Sequence, residues 1–462
     1  MARSWVAANL DAVRRLRSLN RIRAGPYSED MTLLRFLLLL SLSAWIVPAL
    51  AQDIDHPDPK RRARAARELG RQGFEAIPRL EKLLSDPVLE VRIEAVKAIV
   101  EIGGPRSLDP LIRATQDNDP EIQIRATDGL VNFYLPGYVR TGLSATLHRV
   151  GTALRSRFTD TNDQVIEPWV QVRPDVIRAL GKVARGGASM EARANAARAI
   201  GILRGKEAIP DLLEAIRSKD DRVIYECLIA FQKIRDPKVG PEIAFLLRDL
   251  DERVQIAAIE TTGLLRNREA LPQLRDVLEN ARSEKVRRAA LTALAMIPDE
   301  QNRPLFVRYL NDRDDGMRAA AAEGLARLRN SGDVVVLEKM FNEERKMPPR
   351  LAAAFALVML GKTEMSEFSP LQYLINTLNS ASWRGVARAY LIELARETPV
   401  LRAVEKSLAR GTRSEKVELA RILAQSGDRE TLPYLENLAK DPDAEVQREA
   451  LSAVRTLKAR LL

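Results

Sequence analysis

Four prolines recur at a nearly constant interval in the middle of this chain. They lie 31, 31 and 32 residues apart, at Pro210, Pro241, Pro272 and Pro304. A second marker follows each proline after 13 or 14 residues, at Val223, Val254, Val286 and Met317. Self-similarity at this interval predicts stacked units, because a single unit of this size cannot bury its own apolar face. The pattern predicts an architecture suited to binding and leaves the ligand open.

Residues 208–235 show what one unit contains. Its first half carries apolar residues at helical spacing, namely Ile209, Leu212, Leu213 and Ile216. Pro210 stands in the first turn, where a missing backbone N–H costs nothing. A short polar turn with Asp220 follows and supplies an N-cap for a second apolar stripe that includes Cys227. The unit is therefore predicted to be an antiparallel pair of helices.

The same pattern appears outside the central block and resembles a known repeat. Ile77-Pro78, Asp86-Pro87 and Val91-Arg92 form one copy that closes at Gly103, and Leu432-Pro433 opens the last. This sequence pattern resembles the HEAT repeat, in the bacterial HEAT-like form often named after phycobilisome lyases, over most of the chain after residue 57. The resemblance implies an all-α fold, an α-solenoid wound as a right-handed superhelix of about 11–12 helical hairpins with essentially no sheet.

The resemblance also implies ion pairs between neighbouring units. In that family, an Asp before the second helix and an Arg within it are thought to pair from one unit to the next. The best matches here are Asp86 with Arg92, and Asp314 or Asp315 with Arg318.

The N-terminal region reads as an export signal. Residues 31–51 combine Arg35, an apolar run and the small residues Ala49 and Ala51, so that cleavage is expected between Ala51 and Gln52. Residues 1–30 precede the signal as an extension, unless Met31 is the true start. The alternative is an uncleaved anchor, although its apolar run is shorter than the ~20 residues that a span needs. We expect a periplasmic or secreted protein, or else one anchored in the inner membrane and facing the periplasm.

The rest of the chain divides around one interruption. Residues 52–134 and 174–462 carry the repeats, and residues 135–173 form an insertion with a predicted amphipathic helix. An insertion of this length within a solenoid indicates either a functional element or a degenerate repeat that docks on its neighbours.

Composition limits the classes of function that this chain is expected to have. The 73 Lys and Arg exceed the 63 Asp and Glu by only 10, and the charges are intermixed, which disfavours nucleic-acid binding. One cysteine and two histidines provide few ligands for a transition metal. The sequence shows no Ser/His/Asp set and no glycine-rich phosphate loop. We therefore expect no enzyme activity, no cofactor and no metal. A chromophore lyase is the alternative that the family label suggests, but its substrates lie in the cytoplasm.

A protein-interaction scaffold is the function that the sequence favours. Second-helix positions predicted to line a concave face are Lys97, Arg198, Lys233 and Arg327. The insertion adds aromatic and basic residues of the kinds enriched at binding hot spots, Tyr134, Tyr138, Arg149, Arg155, Arg157 and Trp169. The partner is expected to be a protein of unknown identity, bound by both regions. The basic amphipathic helix also permits a weak contact with a membrane surface.

Overall fold

Every regular element in the described part of the chain is a helix. The computed structural model describes residues 53–138 and 164–461, and it contains no strand in these ranges. The described residues fall into two compact units that meet between Ile102 and Gly103. The expected all-α solenoid of helical hairpins is confirmed.

The first unit contains an opening helix and one hairpin. The opening helix α1 spans Pro59–Gly70, and hairpin 1 consists of α2 (Ile77–Leu83) and α3 (Leu89–Ile102).

The second unit contains hairpins 2 to 11, each with a first and a second helix. Hairpins 2, 3 and 4 are α4 (Leu108–Ala114) with α5 (Pro120–Tyr134), α6 (Pro174–Gly186) with α7 (Met190–Ile202), and α8 (Ile209–Ala215) with α9 (Asp221–Ile234). In hairpin 5 a 3-10 helix, Pro241–Arg248, precedes α10 (Glu252–Leu264). Hairpins 6, 7 and 8 are α11 (Leu271–Asn280) with α12 (Glu284–Met296), α13 (Arg303–Tyr309) with α14 (Asp315–Leu328), and α15 (Val334–Glu343) with α16 (Met347–Met359). Hairpins 9, 10 and 11 are α17 (Pro370–Thr377) with α18 (Arg384–Leu394), α19 (Thr398–Ser407) with α20 (Arg413–Ser426), and α21 (Leu432–Leu438) with α22 (Ala444–Leu461).

The two sequence markers have separate physical roles. Pro210 occupies the first turn of its helix, as expected. The carboxylates of Asp251 and Asp314 cap second helices by accepting the backbone N–H of Val254 at 2.9 Å and of Met317 at 2.8 Å. Val254 and Met317 are also buried, so the second marker stands at the capped start of a helix and contributes its side chain to the core.

Neighbouring hairpins are joined by arginine clamps. Arg318 donates to the backbone oxygen of Asp312 in its own turn at 2.8 Å and to Glu344 of the next hairpin at 2.9 Å. Arg62 of the first unit makes the same two kinds of contact, reaching the oxygen of His56 at 2.7 Å and Asp86 at 2.6 Å. Ion pairs between successive helical repeats are therefore present, as the resemblance implies.

The partners within these clamps differ from the best sequence matches. The Asp86 carboxylate pairs with Arg62 of the preceding helix, whereas Arg92 donates to the Asp86 backbone oxygen at 3.0 Å. Asp314 likewise pairs with Arg288, one hairpin earlier, and not with Arg318. The physical reason is the position of the arginine side chain. An arginine in the first turns of one second helix extends toward the aspartate that precedes the second helix of the next hairpin.

The insertion leaves the stacking of its neighbours intact. Helix α5 of hairpin 2 packs directly on α7 of hairpin 3. Asn195 donates to Asp128 at 2.9 Å across this boundary, and the Tyr134 hydroxyl accepts the backbone N–H of Arg173 at 3.1 Å. Residues 135–173 thus leave and rejoin the stack at adjacent points.

Several predicted features lie outside the described residues. These are the amphipathic helix with Arg149, Arg155 and Arg157, and the cleavage site at Ala51 and Gln52. Among the described helices, none combines the length and the apolar composition that a membrane crossing requires.

Candidate functional site

The second helices form one continuous layer of the second unit. They pack on one another in succession from α5 to α22. Near their C-terminal ends they approach closely, since a Cβ added at Gly201 would lie 2.8 Å from the Cα of Ala230, and one at Gly263 equally close to the Cα of Ala293. Side chains from hairpins 7 and 9 even meet across hairpin 8, as described next. We call this surface the inner face.

Arg327 sits at the centre of a buried network on the inner face. It donates two hydrogen bonds to Glu393, at 2.9 and 2.8 Å, and one to Glu323 at 3.0 Å. The hydroxyl of Tyr390 donates to Glu323 at 2.7 Å, and the guanidinium lies 5.1 Å from the ring centroid of Phe355. Only 9% of the Arg327 side chain is exposed, so this predicted binding residue is fully engaged in holding three hairpins together.

The electrostatics of this network depend on the arginine. Burial raises the pKa of Glu393, but the hydrogen bonds and the charge of Arg327 outweigh burial and hold the pKa below its ordinary value. The arginine keeps the carboxylate ionised in a place where an unpaired charge would be costly.

Arg198 has a similar internal role near the insertion. It pairs with Glu226 of the next hairpin at 2.6 and 3.2 Å. Burial raises the pKa of Tyr138 well above its ordinary value, and the charge of Asp128 adds to this effect while Arg198 opposes it. The structure thus brings Tyr138 and Arg198 together, although the sequence placed them in separate elements.

The remaining predicted residues are spread over the molecule. Lys97 belongs to the first unit and pairs with Glu94 at 2.8 Å. Lys233 is half-buried on α9, seven residues after Glu226 and hence on the same helix face. Trp169 is half-buried in the returning end of the insertion. The described site residues therefore do not form one cluster.

The returning end of the insertion lies against the inner face. Ile166 is buried, and its backbone N–H donates to the oxygen of Ile202 at 3.0 Å. Burial raises the pKa of Glu167, and the negative charge of Glu449 on α22 raises it further while Arg204 opposes both. The start of this segment thus contacts the third hairpin, and the charge of Glu449 in the last hairpin acts on Glu167.

The sequence interpretation missed a set of four arginines with unusual backbone conformation. They lie one or two residues after the ends of second helices and have positive φ angles of 50°, 58°, 53° and 56°, at Arg204, Arg235, Arg266 and Arg329. A residue with a Cβ in this left-handed region pays about 1–2 kcal/mol, so glycine is usual there. Gly103, which closes hairpin 1, does adopt such an angle, with φ of 62°.

A periodic signal for these arginines was present in the sequence. Each follows an apolar residue at the end of a second helix, and the first three lie 31 residues apart. The fourth lies 63 residues after Arg266, which is two periods, because Ile297 occupies the intervening position. We call Arg204, Arg235 and Arg266 the arginine row.

The described residues offer no alternative site of metal chemistry. Within residues 53–138 and 164–461, no group of three or more His, Cys, Asp or Glu side chains is arranged to hold a metal ion. Cys227 is completely buried, and burial raises the pKa of its thiol.

Comparison with known proteins identifies the repeats. Models of HEAT repeats match residues 47–131, 177–261, 241–302 and 271–358, which together exceed half of the chain. A search of curated protein sequences found no match.

Solved structures similar to this chain include natural and engineered proteins. Importin beta is 15% identical, with 94% of this chain and 66% of that chain covered and a TM-score of 0.38. The complex of CpcE and CpcF of phycocyanin lyase from Nostoc is 17% identical, with 57% and 90% covered and a TM-score of 0.34. An engineered protein is 19% identical, with 89% and 98% covered and a TM-score of 0.37.

The family follows from the sequence match, and the helices agree with it. Because models of HEAT repeats match more than half of its residues and its described helices stack as hairpins, this chain belongs to the HEAT-repeat family and is a helical repeat scaffold.

Proposed function

We propose that this protein is a non-catalytic scaffold that binds a segment of a protein partner on its inner face. The observation that carries the proposal is that charged side chains from distant hairpins lie near one another on a rigid frame. The positive charge of Arg266 in hairpin 5 helps to lower the pKa of Glu393 in hairpin 9, although the two residues lie four hairpins apart along the chain. Glu260 on α10 is exposed, yet crowding by surrounding protein raises its pKa. We propose that the inner face is concave and that its polar surface suits an extended or helical segment of another protein.

The internal networks support this role by fixing the frame. The clamps of Arg318 and the buried network of Arg327 join hairpins 7, 8 and 9 without using the exposed rim. Binding to a pre-organised surface costs less ordering entropy than binding to a mobile one. Holding the hairpins in place therefore leaves more of the interaction energy for the partner.

The insertion is proposed to add specificity. Its described ends place Tyr138 beside Arg198 and residues 164–173 beside the inner face. A partner lying along the second helices would therefore also meet Trp169, which is half-buried. Aromatic residues in such positions are frequent hot spots of binding.

Crosslinking from chosen positions tests the proposed surface. A photoreactive residue at Glu260, Arg266 or Trp169 should capture the partner, whereas one on an exposed first-helix position should not.

The protein is proposed to act outside the cytoplasm after signal cleavage. The small residues Ala49 and Ala51 after an apolar run support cleavage before Gln52. We expect the intact mass of the exported protein to correspond to a chain that begins at Gln52. A mass that retains residues 33–51 would contradict cleavage and favour a membrane anchor.

A further inference from the structure

The arginine row consists of exposed cations that lack a direct partner among residues 53–138 and 164–461. The side chains of Arg204, Arg235 and Arg266 are exposed, and within the described residues they form no hydrogen bond or ion pair. They follow the second helices of three consecutive hairpins, 3, 4 and 5. Crowding by surrounding protein and the like charge of Arg235 lower the pKa of Arg204, and the charge of Glu167 opposes both. The row is therefore a line of positive charges with which no carboxylate among the described residues pairs directly.

The backbone conformation indicates that these side chains serve a purpose. A cation near a helix C-terminus gains some stability from the helix dipole. An arginine one residue earlier would gain the same benefit with ordinary helical angles and without the cost of a positive φ. Three consecutive hairpins nevertheless place arginine at the left-handed position, where glycine would fit better. Strained residues retained in this way are typical of functional sites.

Carboxylates are the groups that approach arginines of this type in the structure. Arg329, which has the same conformation two periods later, pairs with Glu397 at 2.7 Å. The negative charge of Glu167 in the insertion raises the pKa of Arg204, although crowding by surrounding protein and Arg235 lower it more. The first example shows a carboxylate pairing with an arginine in this conformation from another hairpin, and in the second the charge of a carboxylate acts on the arginine.

We propose that the arginine row binds an extended acidic segment of the partner protein, with a carboxylate at about every third residue. Packed helices lie about 8–10 Å apart, so consecutive row arginines are separated by roughly that distance. A chain in the extended polyproline II conformation makes three residues per turn and advances about 3.1 Å per residue, so a carboxylate at every third residue lies on one face and three residues span one hairpin. The arginine fork matches a carboxylate well. This inference rests on the proposed function and specifies the chemistry of the bound segment.

A synthetic peptide tests the spacing directly. The probe is a fluorescein-labelled peptide of about 12 residues built from Glu-Gly-Ser repeats, whose glutamates fall on every third position. Its control has the same composition with all glutamates adjacent. Fluorescence anisotropy with the full chain should show tighter binding of the spaced peptide, weakening as salt is added. Absence of binding, or equal binding of the two peptides, would overturn the proposal.

Two row variants and one matched control assign the binding to these residues. Replacing the row as Arg204→Gln, Arg235→Gln and Arg266→Gln should weaken binding of the spaced peptide at least about ten-fold, since three charge-assisted contacts are lost. The control carries Arg178→Gln, Arg217→Gln and Arg282→Gln, which lie exposed on a first helix and in turns between helices and change the net charge equally. Its affinity should stay within about two-fold of wild type. Equal losses in both variants would contradict a specific site.

A glycine version of the row keeps the test independent of folding. Arg204→Gly, Arg235→Gly and Arg266→Gly remove the side chains while giving the backbone its preferred residue. This variant should melt at or above the wild-type temperature and still lose the peptide. Retained binding would overturn the proposal, as would an oligonucleotide that binds equally tightly and depends on the same arginines. If the spaced peptide does not bind while the partner still crosslinks at position 260, the proposed function stands and this inference is wrong.

Discussion

Leu212→Asp is expected to lower the free energy of unfolding of the second unit by about 4 kcal/mol or more. Leu212 is completely buried on α8, which packs on both α6 and α9. A carboxylate at this position would lose its hydration without gaining a partner. Because neighbouring hairpins share their cores, the damage should spread beyond hairpin 4. Thermal melting followed by circular dichroism should show a large decrease in midpoint.

Two further substitutions calibrate this effect. Leu213 was assigned to the same apolar stripe but is only half-buried, so Leu213→Asp should cost clearly less than Leu212→Asp. Val335 is 76% exposed on α15, and Val335→Asp should change stability by less than about 0.5 kcal/mol. Similar melting of all three variants would contradict the assigned core.

Arg327→Ala is expected to destabilise the second unit by about 3–5 kcal/mol. The substitution leaves the half-buried carboxylates of Glu323 and Glu393 without their cation. Denaturant unfolding of the variant and the wild type measures the difference. Arg329→Ala is the matched control, because Arg329 pairs with Glu397 at 2.7 Å where both side chains are about half exposed, and it should cost no more than about 1 kcal/mol.

The effect of Arg327→Ala should also depend on pH. In the wild type the folded pKa of Glu393 is below its unfolded value, so its stabilising contribution is present above the unfolded value and is lost as pH falls through the folded one. Without Arg327, burial alone would raise this pKa, and the carboxylate would accept a proton at a higher pH. The stability difference should therefore shrink between neutral pH and about pH 4.5. A difference that does not change with pH would show that packing, not charge, is lost.

The fold was predictable because it depends on local rules repeated many times. The prolines of the first turns and the aspartate caps of the second helices each specify a helix start within a few residues. Apolar spacing then specified which side of each helix is buried, and the family resemblance rested on the same positions. Leu213 was assigned too deep a position, because helical spacing alone does not distinguish the centre of a stripe from its edge.

The candidate site was less predictable because it depends on curvature. Alignment of the repeats placed Arg327 on a concave face, but only the structure shows that Glu393, 66 residues later, neutralises it. The pairing of Arg198 with Glu226 likewise turns a predicted binding residue into an internal contact. Spacing could have identified the arginine row, whereas its positive φ angles depend on how each second helix ends.

The most direct test of the account is residue-specific photo-crosslinking in cells that produce the protein. A photoreactive amino acid would replace Glu260 or Arg266 on the inner face, or Trp169 at the end of the insertion. Matched controls would replace Phe245 and Val335, which are 58% and 76% exposed on first helices. The account predicts that the three test positions crosslink the same protein, identified by mass spectrometry, and that the two controls do not. Crosslinks to one partner mainly from Phe245 and Val335 would place binding on the first helices and contradict the central claim.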